Sequence, residues 1–424
     1  MLQVSFIRDN KSDLIEGLKK RNFSEFNLID EVIELDDSRK KILGELEAYN
    51  AESNSIAKEI GSLFKEGRGA EAASKKSRAS EIKELSKALE SSLNDVLSSL
   101  NEKLRHIPNM PNIIVPAGKS DEDNVELSRH GVVPELGEHN LPHWELTKKF
   151  GLIDFDLGSK ITGAGFPVYT GKGARLQRAF INYFLDFNEK AGYKEFVPPF
   201  LVNEASGMGT GQLPDKEGQM YHCTEDNLYL IPTSEVPITN IYRDVMLKEQ
   251  DLPIKMTAYS PCFRREAGSY GKDVRGLNRL HQFEKVEIVQ VVHPSKSYEV
   301  LDEMVAHVEE LIKQLGLPYR ILRLCGGDLG FTAAITYDFE VYSAAQERWL
   351  EVSSISNFET YQTNRLKCRF KNTETKKTEF CHTLNGSSLA LPRIYAAILE
   401  NNQTEDGIKI PDVLQPYCGF DYIK

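Results

Sequence analysis

Cysteine is sparse in this chain and scattered. The six among 424 residues, Cys223, Cys262, Cys325, Cys368, Cys381 and Cys418, form no C-x-x-C pair. That argues against a zinc ribbon or a disulfide framework and fits a reducing compartment. No window approaches 18 consecutive apolar residues, so no membrane-spanning helix is expected. The opening MLQVSFIRDNKSD lacks the basic stretch followed by an apolar one that marks export, and a cytoplasmic location is expected. Neither G-x-x-x-x-G-K-[ST] nor G-x-G-x-x-G occurs, which argues against the common phosphate-loop and doubly wound nucleotide folds. G-x-S-x-G is missing too, and no Cys/His pair stands out as a nucleophile. A net charge of −11 disfavours indiscriminate nucleic-acid binding but leaves room for a local basic patch. With 40% apolar and 27% charged residues and no low-complexity tract, the composition is that of an ordinary globular protein. The length allows two or three domains.

Residues 1–29 read as a short strand (Leu2, Val4, Phe6) and then a helix capped by Asp9 or Asn10, with Leu14, Ile15 and Leu18 on one face. From residue 31 the spacing alternates threes and fours through Val32, Leu35, Arg39, Ile42, Leu46, Tyr49, Ser53, Ile56, Ile60 and Leu63. This is a heptad seam broken only at Arg39 and Ser53. After Gly67-Arg68-Gly69 a second run places Ile82, Leu89, Leu93, Val96, Leu100 and Leu104 on one side, and Pro108 and Pro111 end it. The two runs predict an antiparallel coiled-coil hairpin over about 30–104, each helix reaching about 50 Å at ~1.5 Å rise per residue. Most of its outer charges, Lys75, Lys76 and Arg78 among them, read as solvated surface. A first domain is expected over 1–105. Residues 106–143, rich in proline and with acids at 121–123, read as a hinge, and 144–424 as a second domain. That domain mixes helical runs at 173–191 and 297–315 with strand-like runs at 193–197, 228–231 and 286–292, the pattern of an α+β fold.

The most informative stretch is 262–287, CFRREAGSYGKDVRGLNRLHQFEKVE. Two segments flank a loop punctuated by Gly268, Gly271 and Gly276, which predicts a long hairpin. Arg264, Arg265, Lys272, Arg275 and Arg279 cluster there with Glu266, Glu284, Glu287 and Phe283. A guanidinium can hold a phosphate or carboxylate with two parallel hydrogen bonds, and an aromatic face can stack on a base. The bland alternative is a solvated hairpin with scattered ion pairs.

The order Phe-Arg-x-Glu, loop, Arg-x-x-x-Phe resembles motif 2 of the class II aminoacyl-tRNA synthetases. With Glu-Ala-Gly, Arg-Gly-Leu and His-Gln-Phe around it, the stretch is similar to the seryl-tRNA synthetase family of bacterial type. The Pro-Asn-x-Pro, Val-Pro-x-Gly and Asn-Val-Glu wording of the hinge resembles the same family. A helix entering a strand that stops at Pro198-Pro199 resembles motif 1, which lies at the dimer interface, so a homodimer is implied. The implied fold is a mainly antiparallel sheet flanked by helices, preceded by the hairpin.

The resemblance implies ATP-dependent activation of L-serine and transfer of the seryl group to tRNA(Ser), with tRNA(Sec) an open second acceptor. Arg264 would bridge the serine carboxylate and the α-phosphate, Glu266 would hold the adenine amino group, and Phe283 would stack on the ring. Arg279 would meet the phosphates, with Arg265 and Leu280 also at the ATP site. Glu287 would bind the serine ammonium or hydroxyl. Thr233-Ser234-Glu235 matches a serine-binding Thr-x-Glu segment, although Thr233 also reads as a helix cap. In the stretch 351–357, Glu351, Val352, Ser353 and Ser354 would face ATP, with Glu351 and Ser354 as ligands of Mg²⁺ rather than zinc. Asn385 and Ser387 would line the serine pocket, and Arg393, placed like motif 3, would meet the γ-phosphate. Lys75, Lys76 and Arg78 would contact tRNA from the hairpin. Two departures stand out. Ser388 occupies a position where bacterial members often carry Gly, which would hold the backbone there further from substrate. Arg265 replaces a common Ser. Rival readings are a class II synthetase for threonine or proline, and a silent paralogue that binds RNA or a partner without charging tRNA. The hairpin and the lack of a further domain after Tyr422 argue against the first. Retention of Arg264, Glu351 and Arg393 argues against the second.

Overall fold

Heptad spacing becomes two long helices in the computed structural model, α1 (Asn27–Lys65) and α2 (Gly69–His106). The turn between them depends on Gly67 at φ +74°, a left-handed conformation that glycine adopts without a Cβ penalty. The structure describes residues 1–137, 140–215, 218–266 and 275–424. Gly268, Gly271 and Lys272 of the charged loop lie outside the described residues. The chain divides into two units, 1–16 with 23–108, and 17–22 with 109–424.

In the first unit, Val32, Leu46 and Ile56 of α1 and Ala72, Ile82, Leu100 and Leu104 of α2 are buried along the seam. Asp36 is also buried there, which the heptad pattern did not suggest. Arg8, Arg39 and Lys40 approach it at 3.2, 2.6 and 2.8 Å, so the carboxylate is paired rather than stranded. The expected strand at Leu2, Val4 and Phe6 is corrected: Val4–Asp9 is a helix. Three alternating residues are too short a run to choose a period, and burial falls on Leu2 and Ile7 instead. Asn10 serves that helix at its C-terminal end, its amide donating to the Phe6 carbonyl at 3.0 Å.

The second unit is built on an eight-stranded sheet. Its strands are β1 (Val125–His130), β2 (Lys194–Glu195), β3 (Ile254–Phe263), β4 (Gln282–Val292), β5 (Tyr319–Arg323), β6 (Ile335–Ser343), β7 (Arg348–Glu359) and β8 (His382–Ala390). The order is β1-β5-β6-β7-β8-β4-β3-β2, antiparallel throughout except that β2 runs parallel to β3. Helices α3 (Gly171–Lys190), α5 (Ser297–Gln314) and α7 (Leu391–Asn401) pack against this sheet. Leu176, Phe180 and Phe184, spaced by four, put three large side chains of α3 into the core with Ile288, Ile355, Met304 and Ile398. The two shorter helices α4 (Glu235–Asn240) and α6 (Tyr361–Leu366) carry polar residues considered below. The α+β, mainly antiparallel fold expected from the sequence is the fold observed. No described helix is long and apolar enough to cross a membrane.

Candidate active site

The charged stretch is a hairpin of two long strands. β3 and β4 pair antiparallel, with Phe283 opposite Cys262, Lys285 opposite Ser260 and Glu287 opposite Ala258. Alternate residues share a face, so Phe283, Lys285 and Glu287 line one side of β4. Arg264, two residues beyond Cys262, lies over the Phe283 ring at 5.2 Å from its centroid. Glu284 points the other way and accepts from the Gln177 amide of α3 at 2.8 Å. One strand therefore carries the base-stacking candidate and the amino-acid candidates on a single face.

The other neighbour of β4 is irregular. Lys285 faces Ala390 while Glu287 faces Ser387, so β8 contains an extra residue. Within that bulge Leu389 adopts φ +81° with its side chain fully buried. A leucine in this region costs on the order of 1–3 kcal/mol, and such strain gathers at functional sites. The bulge brings Ser387 beside Glu287. Ser388 is fully buried, and its hydroxyl donates to Asn188 of α3 at 2.9 Å. The serine at this departure from the family pattern is thus engaged by the helix, not directed into the pocket.

Above β4 sits the segment Thr233-Ser234-Glu235, all three buried. The Ser234 hydroxyl donates to Ser260 Oγ of β3 at 2.6 Å, and the Glu235 N–H donates to Thr233 Oγ1 at 3.2 Å. The helix cap expected at Thr233 is corrected: Ser234 holds the N-cap position of α4, without a side-chain cap bond, and Thr233 stands one residue before it. Glu235 accepts from the Gln362 amide of α6 at 2.7 Å and is hydrogen-bonded by Asn385 of β8. Thr383 donates to Gln362 in turn at 2.8 Å. Glu287, Glu235, Ser387 and Asn385 thus converge on an acidic pocket. Burial, then the neighbouring Glu287 charge, pushes the Glu235 carboxyl up to about 7. Burial also raises Glu287, opposed by Lys285, Arg264 and the Thr233 hydroxyl.

The remaining candidates form a more open, cation-rich region. Arg279 donates to Glu266 at 3.1 Å. Arg393 donates to the Glu351 carbonyl at 2.7 Å and to the Asn278 carbonyl at 3.3 Å, tying α7, β7 and the end of the charged loop together. Ser354 Oγ lies 3.4 Å from Glu351 Oε1. Opposite Ser354 on β6 is Asp338, whose carboxyl is raised well above the ordinary range by burial and then by Glu351. Its Oδ1 is buried without a hydrogen-bond partner. These are hard oxygen donors, the kind Mg²⁺ takes, and no described group of three or more His, Cys, Asp or Glu is arranged to hold a metal. A cation held by Glu351 and Ser354 would draw the rest of its shell from water and phosphate oxygens, which fits Mg²⁺. Leu280 and Val352 have their side chains in the core, so only their main chain is available to a nucleotide. Ser353 is committed to the Ser387 carbonyl at 2.6 Å. Arg265 lies over the Tyr221 ring at 5.6 Å, not over Phe283.

Sequence reading missed Lys285, Asp338 and Gln362. Lys285 and Asp338 carried a signal, a charge two residues before a glutamate, Glu287 and Glu340, with an apolar residue between. Gln362 carried none. In the hairpin unit, the three candidate tRNA-binding residues already have partners: Lys75 with Glu59 at 2.6 Å, Arg78 with Glu52 at 2.8 Å, and Lys76 over Phe64 at 4.7 Å.

Known proteins match both units. Residues 1–111 match the seryl-tRNA synthetase N-terminal domain, and 221–402 match the tRNA synthetase class II core domain (G, H, P, S and T). The chain is 46% identical over 421 residues to the serine–tRNA ligase of Salinibacter ruber, covering 99% of this chain and 98% of that one. The seryl-tRNA synthetase of Pyrococcus horikoshii, solved in complex with ATP, superposes with a TM-score of 0.91 at 33% identity over 100% of this chain and 99% of its own. The cytoplasmic serine–tRNA ligase of Naegleria fowleri, solved with AMP, gives 0.87 at 29% identity over the same shares. With full-length identity of this order and both domains matched, the chain belongs to the seryl-tRNA synthetase family of class II aminoacyl-tRNA synthetases.

Proposed function

We infer that this protein uses ATP to activate L-serine as seryl-adenylate and then transfers the seryl group to the 3′ end of tRNA(Ser). The observation that carries the reading is the single face of β4, where Phe283 under Arg264 leads directly into a buried acidic pocket. An amino acid's ammonium group belongs with Glu235, which leaves its carboxylate directed toward Arg264 and its side chain toward Glu287. In the first step a serine carboxylate oxygen attacks the α-phosphorus, the bond to the bridging oxygen breaks, and pyrophosphate leaves. In the second, the terminal tRNA hydroxyl attacks the seryl carbonyl and AMP leaves.

The residues contribute position and charge and no covalent nucleophile. Arg264 places the carboxylate against the α-phosphate, Phe283 stacks on adenine, and Glu266 accepts from its amino group. Arg279 and Arg393 meet the outgoing phosphates. Thr233, Glu235, Asn385 and Ser387 frame the amino acid, and Glu287 accepts from its hydroxyl. A Mg²⁺ ion held by Glu351 and Ser354 would neutralise charge on the phosphates. The hairpin within 1–105 serves as the tRNA-binding arm, 106–143 as the hinge and 144–424 as the catalytic domain. A homodimer accounts for the exposed apolar side chains of Val197, Phe200 and Leu201 that follow the short edge strand β2. The cytoplasm supplies all three substrates.

The decisive experiment is exchange of labelled pyrophosphate into ATP with each amino acid in turn. Serine alone supports exchange, EDTA stops it and Mg²⁺ restores it. Exchange with threonine or proline, or none with any amino acid, overturns the reading. Rescue by zinc alone overturns the metal assignment.

A further inference from the structure

Two carboxylates and one ammonium group meet at the base of the pocket. Lys285 Nζ lies 2.6 Å from Glu287 Oε2, with side-chain exposures of 8% and 1%. The lysine is a strand residue inside the sheet, locked opposite Ser260 on one side and Ala390 on the other. An ammonium so deeply enclosed is held where its charge is wanted, because desolvating it is expensive. The ammonium rests on Glu287 Oε2, and Thr233 hydrogen-bonds the same carboxylate, so the group is held in place from two sides. Each carboxylate oxygen has two lone pairs, which leaves capacity to accept a substrate hydroxyl.

We propose that Lys285 is a positioning and specificity-determining residue: it fixes the Glu287 carboxylate for reading the substrate hydroxyl and offsets the second carboxylate, Glu235. This rests on the serine pocket proposed above. The charged and titratable groups facing the pair are Arg264 and Cys262 from the β3 end, and Glu235 from α4. The residues turned toward it from β8 and α6, namely Asn385, Ser387 and Gln362, are uncharged. Lys285 lowers the proton affinity of both acids, so one cation serves two carboxylates. Without it, Glu287 faces Glu235 with Arg264 as its remaining cation, and both acids hold protons more tightly. A protonated Glu287 offers its acceptor less readily, and the ability to tell serine from alanine falls with it.

The test is steady-state exchange from pH 5.5 to 9 with Lys285→Met, Lys285→Arg, Glu287→Gln and the Lys285→Met/Glu287→Gln pair. Lys285→Met raises the serine KM on the order of 10- to 100-fold, as removal of a charge-assisted interaction does, with ATP KM little changed. The acid limb of kcat/KM for serine moves up by about one pH unit, and preference for serine over alanine shrinks. Lys285→Arg restores the limb in part. The pair is no worse than Glu287→Gln alone, because the lysine's task has gone with its partner. The pair also removes the unmatched buried charge, so it reports even where Lys285→Met folds poorly. An unmoved pH limb with an unchanged serine-to-alanine preference in Lys285→Met overturns the proposal, as does full additivity in the pair. Absence of serine-dependent exchange in the unaltered protein would instead strike the serine reading itself.

Discussion

The arm and the catalytic unit use the same charged residues to opposite ends. On the arm, Arg78 meets Glu52 and Glu81 with 39%, 40% and 59% of the respective side chains exposed. Under the catalytic sheet, His143 meets Glu400 at 2.6 Å with both side chains at 0%. In the first setting water competes for every partner, so one can be exchanged for another at little cost. In the second water cannot step in, so a bond that is removed is not replaced. The arm is therefore suited to passing its cations to a ligand's phosphates, and the catalytic unit to holding groups still. Substitutions can separate the two modes.

The largest expected effect is on folding, at His143. Its Nε2 accepts the Leu277 N–H at 2.8 Å while Nδ1 faces Glu400, so the proton sits on Nδ1. Gln346 donates to Glu400 at 3.0 Å and accepts from Asn278 at 2.9 Å. The network anchors the end of the charged loop beside Arg393, which donates to the Asn278 carbonyl. His143→Ala leaves the buried Leu277 N–H without a partner, takes one donor from Glu400, which keeps Gln346, Ser343 and the main-chain N–H of residue 143, and opens a cavity, a combined loss of about 3–5 kcal/mol. Urea denaturation measures it, and a midpoint near that of the unaltered protein would falsify the anchoring role.

Arg264→Ala follows. It leaves the fold intact, since the guanidinium rests on the Phe283 face at the mouth of the site, yet removes charge from the reacting phosphate. Serine-dependent exchange falls by about 10²–10³-fold, or ~3–4 kcal/mol. A variant within threefold of the parent would move the α-phosphate contact to another residue.

How much of this was legible beforehand follows the same division. The arm was readable because a coiled coil repeats its instruction every seven residues, and the Gly67 turn is written into the chain. Asp36 escaped notice because one of the three cations that pair with it, Arg8, is far away in sequence. The α+β class and the β3–β4 hairpin could be read from runs and glycines. The chemistry at Arg264, Glu287, Glu351 and Arg393 came from resemblance in short motifs, which fix residue types and spacing. Lys285 and Gln362 went unread because their meaning arises only when β4 and α6 are brought around one pocket, and Asp338 because β7 sets Ser354 and Glu351 beside it. The strained Leu389 could not be foreseen, because nothing in a buried leucine's neighbours announces φ +81°. The N-terminal strand was misread for lack of enough residues to set a period.

The pH dependence of serine use gives a smaller, sharper test of the buried mode. Glu235 is raised from 4.5 to about 7 by burial and then by Glu287. In its protonated form it cannot hold an ammonium group as an ion pair, so kcat/KM for serine climbs as pH rises through about 7 and then levels. Glu235→Gln flattens this limb while lowering the plateau. The linked effect on folding has the opposite sign. A carboxyl that binds its proton more tightly when folded contributes stability that is fully present below 4.5 and lost as pH rises through about 7. A serine profile flat from pH 5.5 to 8 would remove Glu235 from the ammonium site.

The smallest effect on stability, and the most selective on function, belongs to the arm. Lys75 and Arg78 are paired with Glu59 and Glu52 across the hairpin, and Lys76 rests on Phe64. All three lie on the solvent side of a seam whose burial rests on Ala72, Ile82, Leu100 and Leu104, so replacing them by alanine leaves the denaturation midpoint unmoved. Exchange with serine is unaltered as well, because no residue of the pocket depends on them. If these cations leave their acidic partners for tRNA phosphates, charging weakens, and the plot of log affinity against log salt becomes shallower by roughly 0.7–0.9 for each phosphate no longer neutralised. The measurement is tRNA(Ser) binding by the full chain at several salt concentrations, for each single variant and the triple one. An unchanged slope in the triple variant assigns tRNA binding to another face of the hairpin. A shallower slope with exchange preserved shows that exposed pairs here are held ready for a polyanion, whereas the buried pairs beneath the sheet have no partner to change to.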